Sequence, residues 1–226
     1  SCHQKRVVEF GEWLCEEVLK AVPHRHFVSS IPKILRRYFL YDRTLLSDLS
    51  RCGWETLKGF FQEAELRADG VPAAVVAIHT FGDFLGWHPH LHILCGEGCF
   101  HEDGMFRVAP VFEVKDLEAI FRHKVCKMLL SKEKITQDLV EMLMNWRHSG
   151  FNVFCGPRIQ PSDETAMENL ARYIIRASFS QERMHYIPEE SKVLYRSKDG
   201  KDQKVFDALE WLAATRLPRL KSSLPE

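Results

Sequence analysis

Residues 74–100 read AVVAIHTFGDFLGWHPHLHILCGEGCF, and this stretch decides how the rest of the chain is to be read. The β-branched and apolar run Ala74–Ile78 passes through a bend punctuated by Gly82 and Gly86 and returns as His88-Pro89-His90-Leu91-His92-Ile93-Leu94. The pattern predicts two strands and a turn. Side chains alternate along a strand, so His90 and His92 share one face while Leu91 and Ile93 take the other. Two neutral imidazoles projecting from one edge suit a metal ion. His79, near the end of the preceding strand, is the favoured third ligand; Asp83 and His88 compete for that place. The competing interpretation is a polar patch of satisfied histidines. Four histidines in this one stretch weigh against it.

Outside this stretch, composition sets broad bounds. The 226 residues are 45% hydrophobic and 11% aromatic, enough for one sizeable core with an appended piece. Lysine plus arginine balances aspartate plus glutamate at 31 each, so net charge does not argue for nucleic acid and local charge must. No apolar run reaches membrane-spanning length and no leader pattern opens the chain, so a cytoplasmic protein without a membrane partner is expected. The seven cysteines form no CxxC pair, which fits reduced thiols. Ser1-Cys2-His3 reads as a cut start, with Cys2-His3 as the end of a Cys/His zinc module or as a fraying terminus.

Val7, Phe10, Leu14, Val18 and Val22 predict an amphipathic helix stopped by Pro23, followed by a short strand over 24–31. Residues 33–43, KILRRYFLYDR, interleave Lys33, Arg36, Arg37 and Arg43 with Tyr38, Phe39 and Tyr41. Cations among aromatics can track a phosphate backbone and stack on bases, although a solvated helix face over core aromatics has the same composition. Residues 45–66 continue as helix. Beyond the hairpin, a strand over 105–108, helices over 114–130 and 135–146, strands over 151–159, 184–187 and 192–196, and a helix over 207–215 complete an α+β layout. The layout opens with a helical, basic N-terminal region (1–70), followed by a main domain (71–215) and a tail (216–226).

The segment 162–183 carries the second chemical signal. Ser162 or Asp163 can cap a helix on which Asn169 and Tyr173 share a face, with Arg172 and Arg176 adjoining. A tyrosine flanked by arginines can be a nucleophile, or an ordinary core aromatic with its hydroxyl tied off. Joined to the histidines it suggests phosphodiester chemistry. A tyrosine hydroxyl, with pKa near 10, attacks phosphorus only when a metal polarises the phosphate and cations hold the developing charge.

His79-Thr80-Phe81-Gly82, His88-Pro89-His90-Leu91-His92 with Gly96 and Gly98, and Leu170-Ala171-Arg172-Tyr173 followed by Arg176 together resemble the HUH (His-hydrophobe-His) single-strand endonucleases. Within these the chain looks like the rolling-circle insertion-sequence tyrosine transposases. Residues 206–213, FDALEWLA, look like that family's C-terminal segment. The resemblance implies a ferredoxin-like antiparallel sheet with packed helices and additional N-terminal helices. It assigns His90, His92 and His79 to a divalent metal, Mg²⁺ or Mn²⁺ in use with Zn²⁺ or Ni²⁺ as bound alternatives, and Tyr173 to the nucleophile. With single-stranded DNA at transposon ends as the expected partner and a homodimer as the expected assembly, Arg172, Arg176, His88, Lys33, Arg36 and Arg37 are the candidate DNA-binding residues. Many relatives carry a second tyrosine where this chain has Asn169, which favours a single-tyrosine mechanism. The tail after Ala214 does not resemble the family's continuation, as in a truncated or frameshifted copy. Two other functions remain open at the level of sequence: an inactive DNA-binding remnant of such a transposase, and a zinc phosphodiesterase using the three histidines alone.

Overall fold

The computed structural model describes residues 2–64, 69–82, 84, 86–146, 148–174 and 179–215, and only the backbone of residues 2–4, 6, 214 and 215. Asp83, Arg176, the side chains of Cys2 and His3 and the tail 216–226 therefore lie outside the described residues. The chain forms two compact units: residues 1–80 with 88–176, and residues 81–87 with 177–226.

In the first unit α1 (Cys2–Trp13) runs into a π-helical turn (Leu14–Val18). Then follow β1 (His24–Ser30), α2 (Lys33–Tyr41), α3 (Leu45–Ala64), β2 (Ala74–Phe81), β3 (Trp87–Gly96), a small β4 (Gly98–Phe100) and β5 (Phe106–Val108) hairpin, α4 (Val114–Ser131), α5 (Gln137–Asn145), β6 (Asn152–Cys155) and α6 (Glu164–Ile174). The sheet order is β2-β3-β1-β6, and β1 pairs antiparallel with both β3 and β6. Chain order β1, helices, β2, β3, helices, β6, with β1 and β3 in the centre, is the ferredoxin-like arrangement. The α+β class and this sheet agree with the expectation from sequence. Residues 1–70, grouped in the sequence layout as an N-terminal region, contribute the central strand β1 to this sheet.

The two faces of the sheet are unlike. Across the β1–β3 ladder Phe27 stands opposite Ile93 and Ser29 opposite Leu91, and partners directly opposite share a face. Phe27, Leu91 and Ile93 are fully buried with Leu49, Phe61 and Phe121 from α3 and α4, which also pack on each other. Each such side chain contributes about 1.5–3 kcal/mol relative to exposure. Gly53 allows α3 its close approach, because a Cβ there would come within 2.5 Å of Leu91 Cδ1. Gly98 has a similar but stricter role: at φ +153°, its Cβ would meet the Arg107 carbonyl oxygen at 1.9 Å. The opposite face carries the imidazoles.

In the second unit β7 (Met184–Ile187), β8 (Lys192–Arg196) and β9 (Gln203–Asp207) form an antiparallel meander followed by α7 (Ala208–Thr215). Val193, Tyr195 and Trp211 make its core, packed by Phe179, Met184 and Phe206. The Asp207 carboxylate accepts from the Leu209 N–H at 2.8 Å and so caps α7. No described helix is long and apolar enough to cross a membrane.

Candidate active site

Three strands and one helix of the first unit build the site. Alternation along β3 points His88, His90 and His92 to the face away from α3 and α4. In the ladder His26 lies opposite Leu94 and Val28 opposite His92, so His26 projects to that same face. His79 joins from β2, its ring centroid 4.3 Å from that of His92 and 5.4 Å from that of His90. One nitrogen from each of His79, His90 and His92 lies within 4.8 Å of the other two. Around a tetrahedral ion with bonds of about 2.0–2.1 Å such nitrogens sit roughly 3.4 Å apart, so a small closure brings all three into reach. The donor set fits a divalent cation.

Each ring is held through its other nitrogen. His90 Nδ1 donates to the His88 carbonyl at 2.7 Å, and His79 Nε2 donates to the Ile174 carbonyl at 2.5 Å. His92 Nδ1 lies 2.9 Å from His26 Nε2, the two rings parallel to within 10°. With these tautomers, assigned from the hydrogen-bond network, the neutral rings bear their lone pairs on His90 Nε2 and His79 Nδ1. Outer hydrogen bonds of this kind orient metal-binding imidazoles.

Electrostatics favour the neutral ring at His90, His26 and His88. Burial chiefly, with smaller contributions from His79, His88 and Arg36 and against the bond to the His88 carbonyl, brings the His90 imidazolium pKa down from 6.5 to about 4. Burial first, then His79, lowers His26; burial first, then Arg36, lowers His88. Metal ligands must be deprotonated, and near pH 7 His90 is.

Helix α6 brings Tyr173 onto this face. The Asp163 carboxylate accepts from the Ala166 N–H at 3.0 Å and caps the helix, as one of the two capping residues read in the sequence. Ala171 and Ile174 are buried one turn apart and fix the rotation of α6. Between them, half-buried Tyr173 sets its ring edge-on, 5.4 Å from His92 and 6.1 Å from His26. The His79 bond to Ile174 ties the last residue of α6 to the histidines and satisfies a helix-end carbonyl. Behind α6, α1 and the π-helical turn pack against it.

The other residues singled out by sequence are scattered. Arg36 bonds the Ile31 carbonyl at 3.3 Å and lies near enough to act on His88 and His90. Arg37 is exposed over the Tyr38 ring at 5.0 Å, and Lys33 lines a surface groove with Trp146 and His148. Arg172 pairs along the helix with Glu168 at 3.0 Å, and Asn169 is exposed one turn before Tyr173. Sequence reasoning missed His26. The signal was present in His24-Arg25-His26, the same alternation that drew attention to His90 and His92, but only pairing with β3 shows its target.

Residues 73–216 match the family model Y2_Tnp, described as "Putative transposase". A relative, the transposase for insertion sequence element IS801 of Pseudomonas savastanoi pv. phaseolicola, is 33% identical over 85 residues, or 38% of this chain. The aligned part spans 20% of that relative's length. No solved structure matches. The family match runs from the start of β2 to the end of α7, and the chain belongs to this transposase family.

Proposed function

We propose that the chain nicks single-stranded DNA at the ends of a mobile element through the Tyr173 hydroxyl. The single observation that carries this reading is the position of Tyr173, its ring 5.4 Å from His92 on the face where His79, His90 and His92 converge. A divalent cation held by these three histidines, Mg²⁺ or Mn²⁺ in use, supplies Lewis-acid polarisation of the scissile phosphate.

The chain's own residues account for the remaining chemistry. The Tyr173 oxygen forms a bond to phosphorus as the bond from phosphorus to the 3′-oxygen breaks; the tyrosine proton is lost and the leaving oxygen takes one up. The product is a 5′-phosphotyrosine and a free 3′-hydroxyl, which keeps the bond energy available for rejoining. Arg36, beside His88 and His90, supplies positive charge for the phosphate. Arg172 pairs with Glu168 on the exposed side of α6. Asn169 has no hydroxyl to attack with, which favours a single-tyrosine mechanism.

Incubation with a single-stranded element-end oligonucleotide and Mn²⁺ is expected to give a covalent adduct visible on a denaturing gel. Tyr173→Phe is expected to abolish it. An equal adduct from the variant removes Tyr173 as nucleophile. Phosphodiester hydrolysis that survives Tyr173→Phe shifts the assignment to hydrolysis by the histidine site alone.

A further inference from the structure

We infer that His26 is a positioning residue for the histidine site: it accepts the His92 Nδ1 proton and thereby turns the lone pair of His92 Nε2 toward His79 and His90. The inference rests on the metal reading above and deepens it. Among the described residues it gives the third ligand an outer partner, as the other two already have one.

The three outer bonds differ in kind. His90 and His79 donate to backbone carbonyls, of His88 and Ile174, which accept and never donate. Those two tautomers are therefore settled by the fold. His92 instead faces an imidazole nitrogen, 2.9 Å away, and that bond can run in either direction. If His26 Nε2 donates, His92 carries its proton on Nε2 and the three-nitrogen set loses a donor. If His92 Nδ1 donates, the set is complete and His26 holds its own proton on Nδ1. A bound cation selects the second arrangement.

The placement of His26 is fixed by more than this contact. Its strand is the centre of the sheet, in register with β3 from His24–Gly96 to Ser30–His90. The His26 ring lies parallel to that of His92 within 10°, and the Tyr173 ring stands edge-on to both. A ring so confined holds its acceptor nitrogen in one place, so His92 loses little freedom on binding the ion. Packing alone would be served as well by any flat side chain, whereas the acceptor role requires a lone pair at the ring edge.

The test uses Mn²⁺ as probe and the whole chain. By titration calorimetry, His26→Phe, which keeps a flat ring and removes the acceptor, is expected to weaken Mn²⁺ binding about 10–100-fold, the usual range for loss of an outer partner. His26→Gln, whose amide oxygen can accept, is expected to stay within about threefold of the parent. Nitrogen-15 spectra of the histidine side chains are expected to show the His92 proton on Nδ1 in the parent with metal; a proton on Nε2 overturns the inference without any variant. It is also overturned if His26→Phe, or His26→Ala should the former fail to fold, binds Mn²⁺ like the parent. Equal losses in the Phe and Gln variants, with the His92 proton unmoved, reduce His26 to packing and overturn it too. His90→Ala separates the two levels: if it leaves Mn²⁺ binding intact, the metal reading itself fails, whereas loss in His90→Ala with none in His26→Phe removes His26 alone.

Discussion

Arg25 and His26 are neighbours on β1 and serve two polar clusters of opposite character. Arg25 points to the face shared with Leu91 and Ile93 and meets Glu97, a carboxylate 2% exposed, at 2.6 Å, with Arg158 bonded to the same carboxylate. Arg25 also donates to the Gly156 carbonyl at 3.0 Å, so one ionic knot joins β1, the end of β3 and the loop after β6. There, charges close on one another. On the His26 side the groups are imidazoles, held by carbonyls and by each other, with ring nitrogens converging on a common point. The difference separates a bond set that stabilises from one that can take up a ligand: a buried carboxylate already matched to two guanidinium groups has little left to offer, while a group of lone pairs without charge attracts a cation.

Crossing the two clusters gives the largest expected effects. His90→Ala should weaken Mn²⁺ binding more than about 100-fold, beyond the range for outer partners, with a small change in stability. Glu97→Ala should do the reverse. Removing one member of a buried ion pair costs about 3–5 kcal/mol, and the partial exposure of both arginines lowers this to about 2–3 kcal/mol, with Mn²⁺ affinity little changed. Calorimetry and denaturant titration on both variants check the cross; a large loss of metal affinity in Glu97→Ala would join the clusters and undo the contrast.

Acid separates them next. Burial pushes the Glu97 pKa up, but hydrogen bonds from Arg158 and Arg25 outweigh it and hold the carboxyl below its ordinary 4.5. A group depressed in the folded state binds fewer protons there than in the unfolded chain. Its stabilisation is therefore full above about pH 4.5 and is lost as pH falls through the lower folded value. Glu97→Gln should flatten the stability-against-pH curve in that range, and an unchanged slope would place the acid sensitivity elsewhere. The smallest expected effect is at the cap of α6. Asp163→Ala should weaken that helix by about 1 kcal/mol, seen as severalfold faster amide exchange in its first turns, with the ion pairs of Glu97 unaffected.

The sequence made local features legible and left cross-strand ones hidden. The hairpin that carries His79, His90 and His92 was readable because alternation and glycine punctuation are local, and β7 and β8 fall on the bounds read from their apolar runs. β9 was not foreseen, since Gln203 and Lys204 open it with polar residues and it lies against a helix start at Ala208. The central position of β1 was hidden in a region that the sequence layout marks as helical and basic. His26 was lost with it, because its meaning comes from a partner 66 positions away. Glu97 sits alone between Gly96 and Gly98, with nothing nearby in sequence to suggest two arginines from other strands and loops. The basic helix α2 was read as one surface, yet Leu35 and Phe39 are buried and its cations diverge, with Arg36 turned toward the histidines and Arg37 toward Tyr38.

The pleat of β1 has a genetic consequence. Arg25 and His26 face opposite sides only while the ladder keeps its register, and a slip of one residue exchanges every side chain between faces. Deleting the His24 codon, or inserting one before it, would send the guanidinium among the imidazoles and an imidazole toward Glu97. Integrity of the core and of the site would be lost in one event. Small indels in this strand should thus unfold the chain outright, whereas point substitutions on the His26 face can leave a folded chain with an altered site.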